Sequence, residues 1–409
     1  MSDRIDLTSA SAAKLTFWEK VGYSLGDAGS NFYWKVFEVF LLFFYTDVFG
    51  ISPATAGTIF LVARIWDAVN DPIMGAIADR TRTRWGRFRP YLIWLPIPLA
   101  VAGVLAFTTP DLDSQGKVIY AWITYFFVMM CYTGINIPYS ALLGVLSTDS
   151  QERTSASSFR FVAAFSTALV VQSFTKDFAE LLGGGNDALG WQLVMVIYGI
   201  VASLFFVGTF MTTRERVEPI AEETDFKAEL KDLARNVPWL ILFFLGFAIL
   251  TMLFVRSASI VYYFKYFVGD ESLFKWFMAI GAIASIVGVA LTPVLSKTFG
   301  KPRLYFLLIV LTTIINIAFY FVSAEDILMI FVLNTAFSLV LGPTAPVVWA
   351  MYADTADYGE WKNGRRATGL TFSAATFGQK LGVAVAGSVT AFLLAYVGYV
   401  PNAEVQTPE

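Results

Sequence analysis

The chain of 409 residues contains no histidine and a single cysteine, Cys131. Without histidine there is no His-ligated zinc or haem, no HExxH protease and no Ser-His-Asp triad. With one cysteine there is no internal disulfide and no cysteine-rich metal site. Charge is scarce too. Asp, Glu, Lys and Arg supply 15% of residues, against roughly 25% in soluble domains. The net charge of −3 gives no reason to expect a nucleic acid partner. A Gly-rich nucleotide loop is also missing, so an enzyme is not expected and no cofactor is implied. The opening MSDRIDLTSASAAKLTFWEK is polar and lacks the basic start, apolar run and cleavage site of a secretory signal. The first spanning helix must do the targeting.

What is present is apolar. The chain is 56% hydrophobic and 16% aromatic, with 38 Phe, and its mean hydropathy is +0.62. Disorder needs the opposite composition, and a water-soluble fold would expose large apolar areas. The expected class is an all-α polytopic membrane protein. A bilayer core of about 30 Å takes about 20 apolar residues per helix. Eleven such stretches lie near 17–47, 53–78, 90–109, 117–146, 155–182, 190–212, 238–267, 273–296, 302–323, 326–353 and 367–398. The short connections carry turn residues, as in Gly183-Gly184-Gly185-Asn186.

Arginine and lysine crowd the even-numbered loops. Five arginines fall between Asp79 and Arg89, and Arg153, Arg214, Arg216, Lys297, Lys301, Arg303, Lys362, Arg365 and Arg366 follow in later ones. This bias places the N-terminus and the even loops in the cytoplasm. The longest connection, 213–237, divides the chain into an N-terminal half, 1–212, with six helices and a C-terminal half, 238–409, with five. Asp79-Arg80…Gly86-Arg87 after span two echoes Ser296-Lys297…Gly300-Lys301 after span eight, a weak internal repeat. Two parallel six-helix halves around a midplane site are common in secondary transporters. On that pattern a final, twelfth helix is missing.

Ionisable groups at bilayer depth cost about 2.5–3.5 kcal/mol each on insertion scales, so they are functional candidates. Span two carries Arg64, Asp67, Asn70 and Asp71, with the two acids at i,i+4 on one face and Pro72 freeing a backbone carbonyl. This oxygen-rich group suits a hard cation such as Na⁺ or H⁺; the alternative is a structural Arg64–Asp67 pair. Span one carries a stripe of Asp27, Asn31, Lys35 and Glu38, either a wall of a hydrated cavity or an internally neutralised seam. Thr133 and Asn136 share a face of span four. They can complete a cation shell, bind a hydroxyl or bond neighbouring helices. Arg160, Arg256, Lys380 and Trp349 bring cations and an indole into spans five, seven, eleven and ten. Together they suit sugar recognition, with the indole stacking on the apolar face of a pyranose, although a lone Trp is more often core or interface belt.

These residues resemble a known family. The stretches Tyr45-Thr46-Asp47-Val48, Leu61 to Gly75, Arg84-Trp85-Gly86-Arg87-Phe88-Arg89-Pro90, Ala353 to Trp361 and Gly364-Arg365-Arg366 resemble the glycoside–pentoside–hexuronide:cation symporters, the melibiose permease-like family. The resemblance covers essentially the whole chain. It implies a major-facilitator fold in a bacterial inner membrane and a Na⁺ site from Asp67, Asp71, Asn70 and Thr133. It also implies sugar contacts from Arg160, Trp349 and Lys380. The family's acids in the first and fourth helices stand here as Asn31 and Asn136, and a Trp one turn on is Ser140, which weighs against an α-galactoside. Lys35 and Arg256 add positive charge and point to a hexuronide; with Lys35 tied to Glu38, a neutral pentoside fits instead.

The expectation is cation-coupled sugar symport by alternating access, with Na⁺, Li⁺ or H⁺ as coupling ion. Asn31, Asn136, Arg160 and Asp27 face the sugar from one half, and Trp349, Lys380 and Arg256 from the other. A cytoplasmic latch is expected to pair Glu152 and Arg153 with Asp354, Arg365 or Arg366, and Asp79–Arg80 with loop carbonyls or helix ends. The rivals are a transporter-like sensor, which lacks a soluble output domain, and an inactive shortened transporter.

Overall fold

The structure, a computed structural model, describes residues 14–217, 226–270, 272–364 and 366–396. It is helical throughout, and the only strand-like feature among the described residues is an isolated bridge between Thr83 and Gly86. The helices are α1 Phe17–Val39, α2 Pro53–Arg80, α3 Pro96–Ala106, α4 Ser114–Leu146, α5 Ser150–Gly183 and α6 Asp187–Thr212. The second half holds α7 Val237–Tyr262, α8 Leu273–Phe299, α9 Lys301–Phe319, α10 in two pieces, Ile327–Leu341 and Thr344–Asn363, and α11 Thr368–Tyr396.

Local sequence explains the ends. Thr16 and Glu19 form a capping box at the start of α1. Ser52, Asp113, Asp149, Asn186, Asn236 and Asp326 each accept a backbone N–H of the first turn they precede. Gly184 at φ 54 and Gly364 at φ 71 end α5 and α10 in left-handed backbone that favours glycine.

Every stretch read as a span contains a helix, with differences at the edges. Span one breaks near Phe40 and ends in a π-helical turn, Phe44–Val48. Charged residues assigned to loops are helical: Glu152 and Arg153 lie in the first turn of α5, and Asp354, Asp357 and Glu360 lie inside α10. The middle connection contains a short helix, Phe226–Ala234. Seven helices among the described residues are long and apolar enough to cross a membrane. α1 and α2, which carry stripes of charge, and α3, with 11 residues, are among the helices outside that set. The end of the eleventh stretch, and the question of a twelfth, lie outside the described residues.

The packing repeats with a period of six helices. α1 packs on α5 as α7 packs on α11, and α2 on α4 as α8 on α10. The halves join through α2 on α11, α5 on α8 and α10, and α4 on α11. Large apolar side chains such as Ile97, Ile123, Leu204, Ile283 and Phe306 point outward, the arrangement a bilayer solvates.

Candidate transport site

Asp67 and Asp71 stand one turn apart on α2, Asp67 buried and Asp71 fully so. Thr133 on α4 points its hydroxyl between them, 3.0 Å from Asp67 Oδ1 and 3.3 Å from Asp71 Oδ1. On the other side the Lys380 ammonium of α11 lies 2.7 Å from Oδ2 of each acid. Lys380 was expected on the sugar; the structure instead spends its charge on the paired acids, because it is the cation that α11 brings within reach. Asn70 is buried on the same helix, but the bonds that hold the cluster run through Thr133 and Lys380. The Arg64 side chain lies outside what is described. With both acids ionised, one ammonium leaves one negative charge unanswered. No group of three or more His, Cys, Asp or Glu suited to a bound metal occurs among the described residues, so the pair would have to draw its other ligands from hydroxyl, amide or backbone oxygen.

A second cluster lies between α1, α4, α5 and α10. Arg160 donates from Nε to Asp27 Oδ2 at 2.9 Å and from Nη2 to Ser140 at 3.4 Å. Its Nη1 is buried with no hydrogen-bond partner among the described residues. A buried donor left unmade is costly, which makes this edge a candidate for a ligand hydroxyl. The guanidinium covers one face of Trp349, 4.4 Å from the ring centre. A pyranose on that indole was one of two readings, the other being core; here Arg160 already covers a face, and the ring is 8% exposed. Asn31 donates to the Asp27 carbonyl at 2.9 Å. Asn136 reaches only long contacts, 3.5 Å to Ser30 and 3.4 Å to the Tyr132 hydroxyl, leaving its amide free for better partners. Lys35 is paired with Glu38 at 2.7 Å.

Arg256, also expected on the substrate, sits elsewhere. It donates to Asn316 at 3.0 Å and Asn334 at 3.2 Å, with its guanidinium 4.0 Å from the Phe337 ring centre and 4.7 Å from that of Phe319. Its partners lie on α9 and α10, inside the second half, because its position on α7 faces those two helices.

The halves are tied together on the arginine-rich face. Buried Arg153 bridges Asp354 at 2.7 Å and Asp357 at 2.5 Å. Lys301 also meets Asp354. Arg366 meets Asp357 and Glu360, each at 2.6 Å, and donates to the Gly144 carbonyl at 2.9 Å. Asp79 accepts the backbone N–H groups of Gly369 and Leu370 at 2.8 and 3.0 Å, at the positive end of α11. Arg80 pairs with Glu229 of the middle helix at 3.0 Å. Glu152, expected in the latch across the halves, turns to Lys20 at 2.8 Å and the Leu15 N–H at 3.2 Å within its own half, because it sits on the α1 side of α5. Arg365 lies outside the described residues. Sequence reasoning missed Lys301, Asp357 and Glu360 as partners and Tyr132 beside Asn136. The i,i+3 spacing of Asp354, Asp357 and Glu360 along one helix was the available signal.

A helical bundle of two alike halves, with buried charge between them, defines a membrane transporter. The family described as MFS/sugar transport protein matches residues 22–409. The inner membrane symporter YicJ of Escherichia coli (strain K12) is 37% identical over 94% of this chain and 84% of its own. The putative glycoside/cation symporter YagG of the same organism is 36% identical over 97% and 86%. Among solved structures, the major facilitator superfamily transporter FucP in the outward conformation superposes with a TM-score of 0.69 at 14% identity, over 95% of this chain and 94% of its own. The chain belongs to the glycoside–pentoside–hexuronide:cation symporter family and has the major-facilitator fold. It is a sugar-transport protein of the membrane.

Proposed function

We propose that the protein carries a glycoside across the membrane together with one monovalent cation, by alternating access between the halves 1–212 and 238–409, with 213–237 as their connection. The observation that carries this is the charge balance at Asp67, Asp71 and Lys380. Two carboxylates and one ammonium leave a single negative charge in a buried place, which one more monovalent cation neutralises. An unneutralised charge there is expensive, so the site favours occupancy. Thr133, and Asn70 on the same helix, supply the neutral oxygens. The name of the relative YagG, a putative glycoside/cation symporter, supports the same reading.

Because Lys380 rides on α11 and the acids on α2, an arriving cation competes with the ammonium and loosens one tie between the halves. The sugar takes the unpartnered Arg160 edge, with Asn31 and Asn136 as mixed donors and acceptors. Asp27 orients the guanidinium and Trp349 walls it. Coupling is reciprocal, so the sugar tightens the cation as the cation tightens the sugar. The face bearing the Arg153 cluster is assigned to the cytoplasm by its arginines, so the ties close the cytoplasmic side.

The test is uptake into proteoliposomes of labelled xylosides, glucuronides and galactosides under imposed Na⁺, Li⁺ or H⁺ gradients. One of the three ions is expected to drive accumulation of one sugar class. Asp67→Asn and Asp71→Asn are expected to abolish ion-driven uptake while ion-independent counterflow persists. Full ion stimulation in either variant, or wild-type uptake indifferent to every gradient, defeats the proposal. Sugar binding with no counterflow at all is the result a sensor would give.

A further inference from the structure

An aromatic pair, Trp34 and Tyr132, lies beside the sugar cluster. Trp34 lies three residues after Asn31 and seven after Asp27, so it shares their face of α1. Its indole stacks on the Tyr132 ring of α4, with centroids 5.9 Å apart and planes inclined by 28°. Tyr132 lies one turn before Asn136, and its hydroxyl is 3.4 Å from the Asn136 amide. The pair therefore continues the polar wall formed by Asn31 and Asn136.

The two tryptophans near this wall differ in access. Trp349 is 8% exposed, with the Arg160 guanidinium on one face. Trp34 is 39% exposed, and Tyr132 is its ring partner. The exposed side does not read as a hydrocarbon-facing surface. The neighbouring positions on the same stripe are Lys35 and Glu38, an ion pair at 2.7 Å with both side chains partly exposed, and charge at that depth lines water. From Asp27 to Trp34 the helix rises about 10 Å at 1.5 Å per residue. A sugar held at Arg160 reaches that level only through a second ring.

We infer that Trp34, supported from behind by Tyr132, is a stacking subsite for the second ring of a two-ring glycoside, either an aglycone or the apolar face of a second pyranose. The C–H face of a sugar or a flat aglycone packs on the indole, and Lys35 and Glu38 meet hydroxyls at its rim. The first ring sits as under Proposed function, on which this inference rests. The subsite selects glycosides over free monosaccharides and puts the preference on one side chain.

The experiment compares, in purified full-length protein, the affinities for the methyl and 4-nitrophenyl glycosides of xylose, glucuronic acid and galactose. Competition calorimetry is the readout, on wild type, Trp34→Ala and Trp34→Phe. Wild type is expected to bind the 4-nitrophenyl form of its sugar about tenfold more tightly than the methyl form, on the scale of one aromatic stack. Trp34→Ala is expected to bring that ratio close to one with the methyl glycoside's affinity unchanged, and Trp34→Phe to retain most of it. A ratio that survives Trp34→Ala, a wild-type ratio near one, or an equal loss for both ligands overturns the inference. Wild type that binds no sugar of the panel fails the underlying sugar reading instead.

Discussion

Two of the crossings that join the halves, α2 on α11 and α5 on α8, occupy equivalent places in the repeat and are built from different chemistry. At α2 on α11, Gly75 and Gly369 let the backbones touch, and a Cβ at Gly75 would strike the Ser373 hydroxyl and the Gly369 carbonyl. Asp79 then takes two N–H groups of α11's first turn. At α5 on α8 the contacts are neutral: Gln151 donates to the Pro293 carbonyl at 2.7 Å and to Ser296 at 3.0 Å, and Ser158 donates to the Val289 carbonyl at 2.5 Å. The charged crossing also carries Asp67, Asp71 and Lys380. The repeat thus supplies two mechanical joints, and only the one between α2 and α11 is wired to the buried acids. A change of charge at the acids is therefore expected to act first on the joint between α2 and α11.

The strongest way to break this comparison is steric. Gly75→Val is expected to cut uptake into proteoliposomes at least a hundredfold while membrane insertion is normal. Ser158→Val at the other crossing is expected to keep more than a tenth of wild-type uptake. Equal losses would show the joints to be interchangeable. Next comes charge. Lys380→Met leaves two acids facing each other, and losing one partner of a buried ion pair costs about 3–5 kcal/mol. The melting temperature of the detergent-solubilised protein is expected to fall, and adding Asp67→Asn is expected to recover most of the loss. No recovery would mean that Lys380 stabilises something other than the acids.

A smaller effect is expected at the ends of the crossings. Asp79→Asn weakens charge-assisted bonds of about 1.5–3 kcal/mol, and Gln151→Ala removes neutral ones of about 0.5–1.5 kcal/mol. Thiol labelling of single cysteines beneath each crossing should rank them in that order. The smallest is Arg256→Met. Its bonds run to Asn316 and Asn334, so sugar affinity and ion dependence are expected to stay within twofold of wild type. A larger change in calorimetric affinity would return Arg256 to the substrate.

Much of this was legible from spacing. Asp67 and Asp71 announce themselves because i,i+4 acids inside an apolar run have few explanations, and Asp27 and Asn31 follow the same periodicity. The partners were not legible. Lys380 lies 313 residues from Asp67, and the sequence of α11 does not say whether its lone lysine meets a sugar or an acid. Arg160 and Arg256 look alike as isolated arginines in apolar helices, yet one meets Asp27 and the other two asparagines. Glu152 and Arg153 are neighbours in the chain, but successive helical positions point about 100° apart, so one turns to Lys20 and the other across to Asp354.

Composition and periodicity alone determined that this chain is a helical membrane protein with acids sunk in its second span, because apolar run length and helical repeat are local properties. Which charges neutralise one another, which indole face stays open, and which joint between the halves carries the buried acids were decided by tertiary structure. Those are matters of distance between segments far apart in the chain, and in a medium of low dielectric a few ångströms separate an ion pair from an isolated charge.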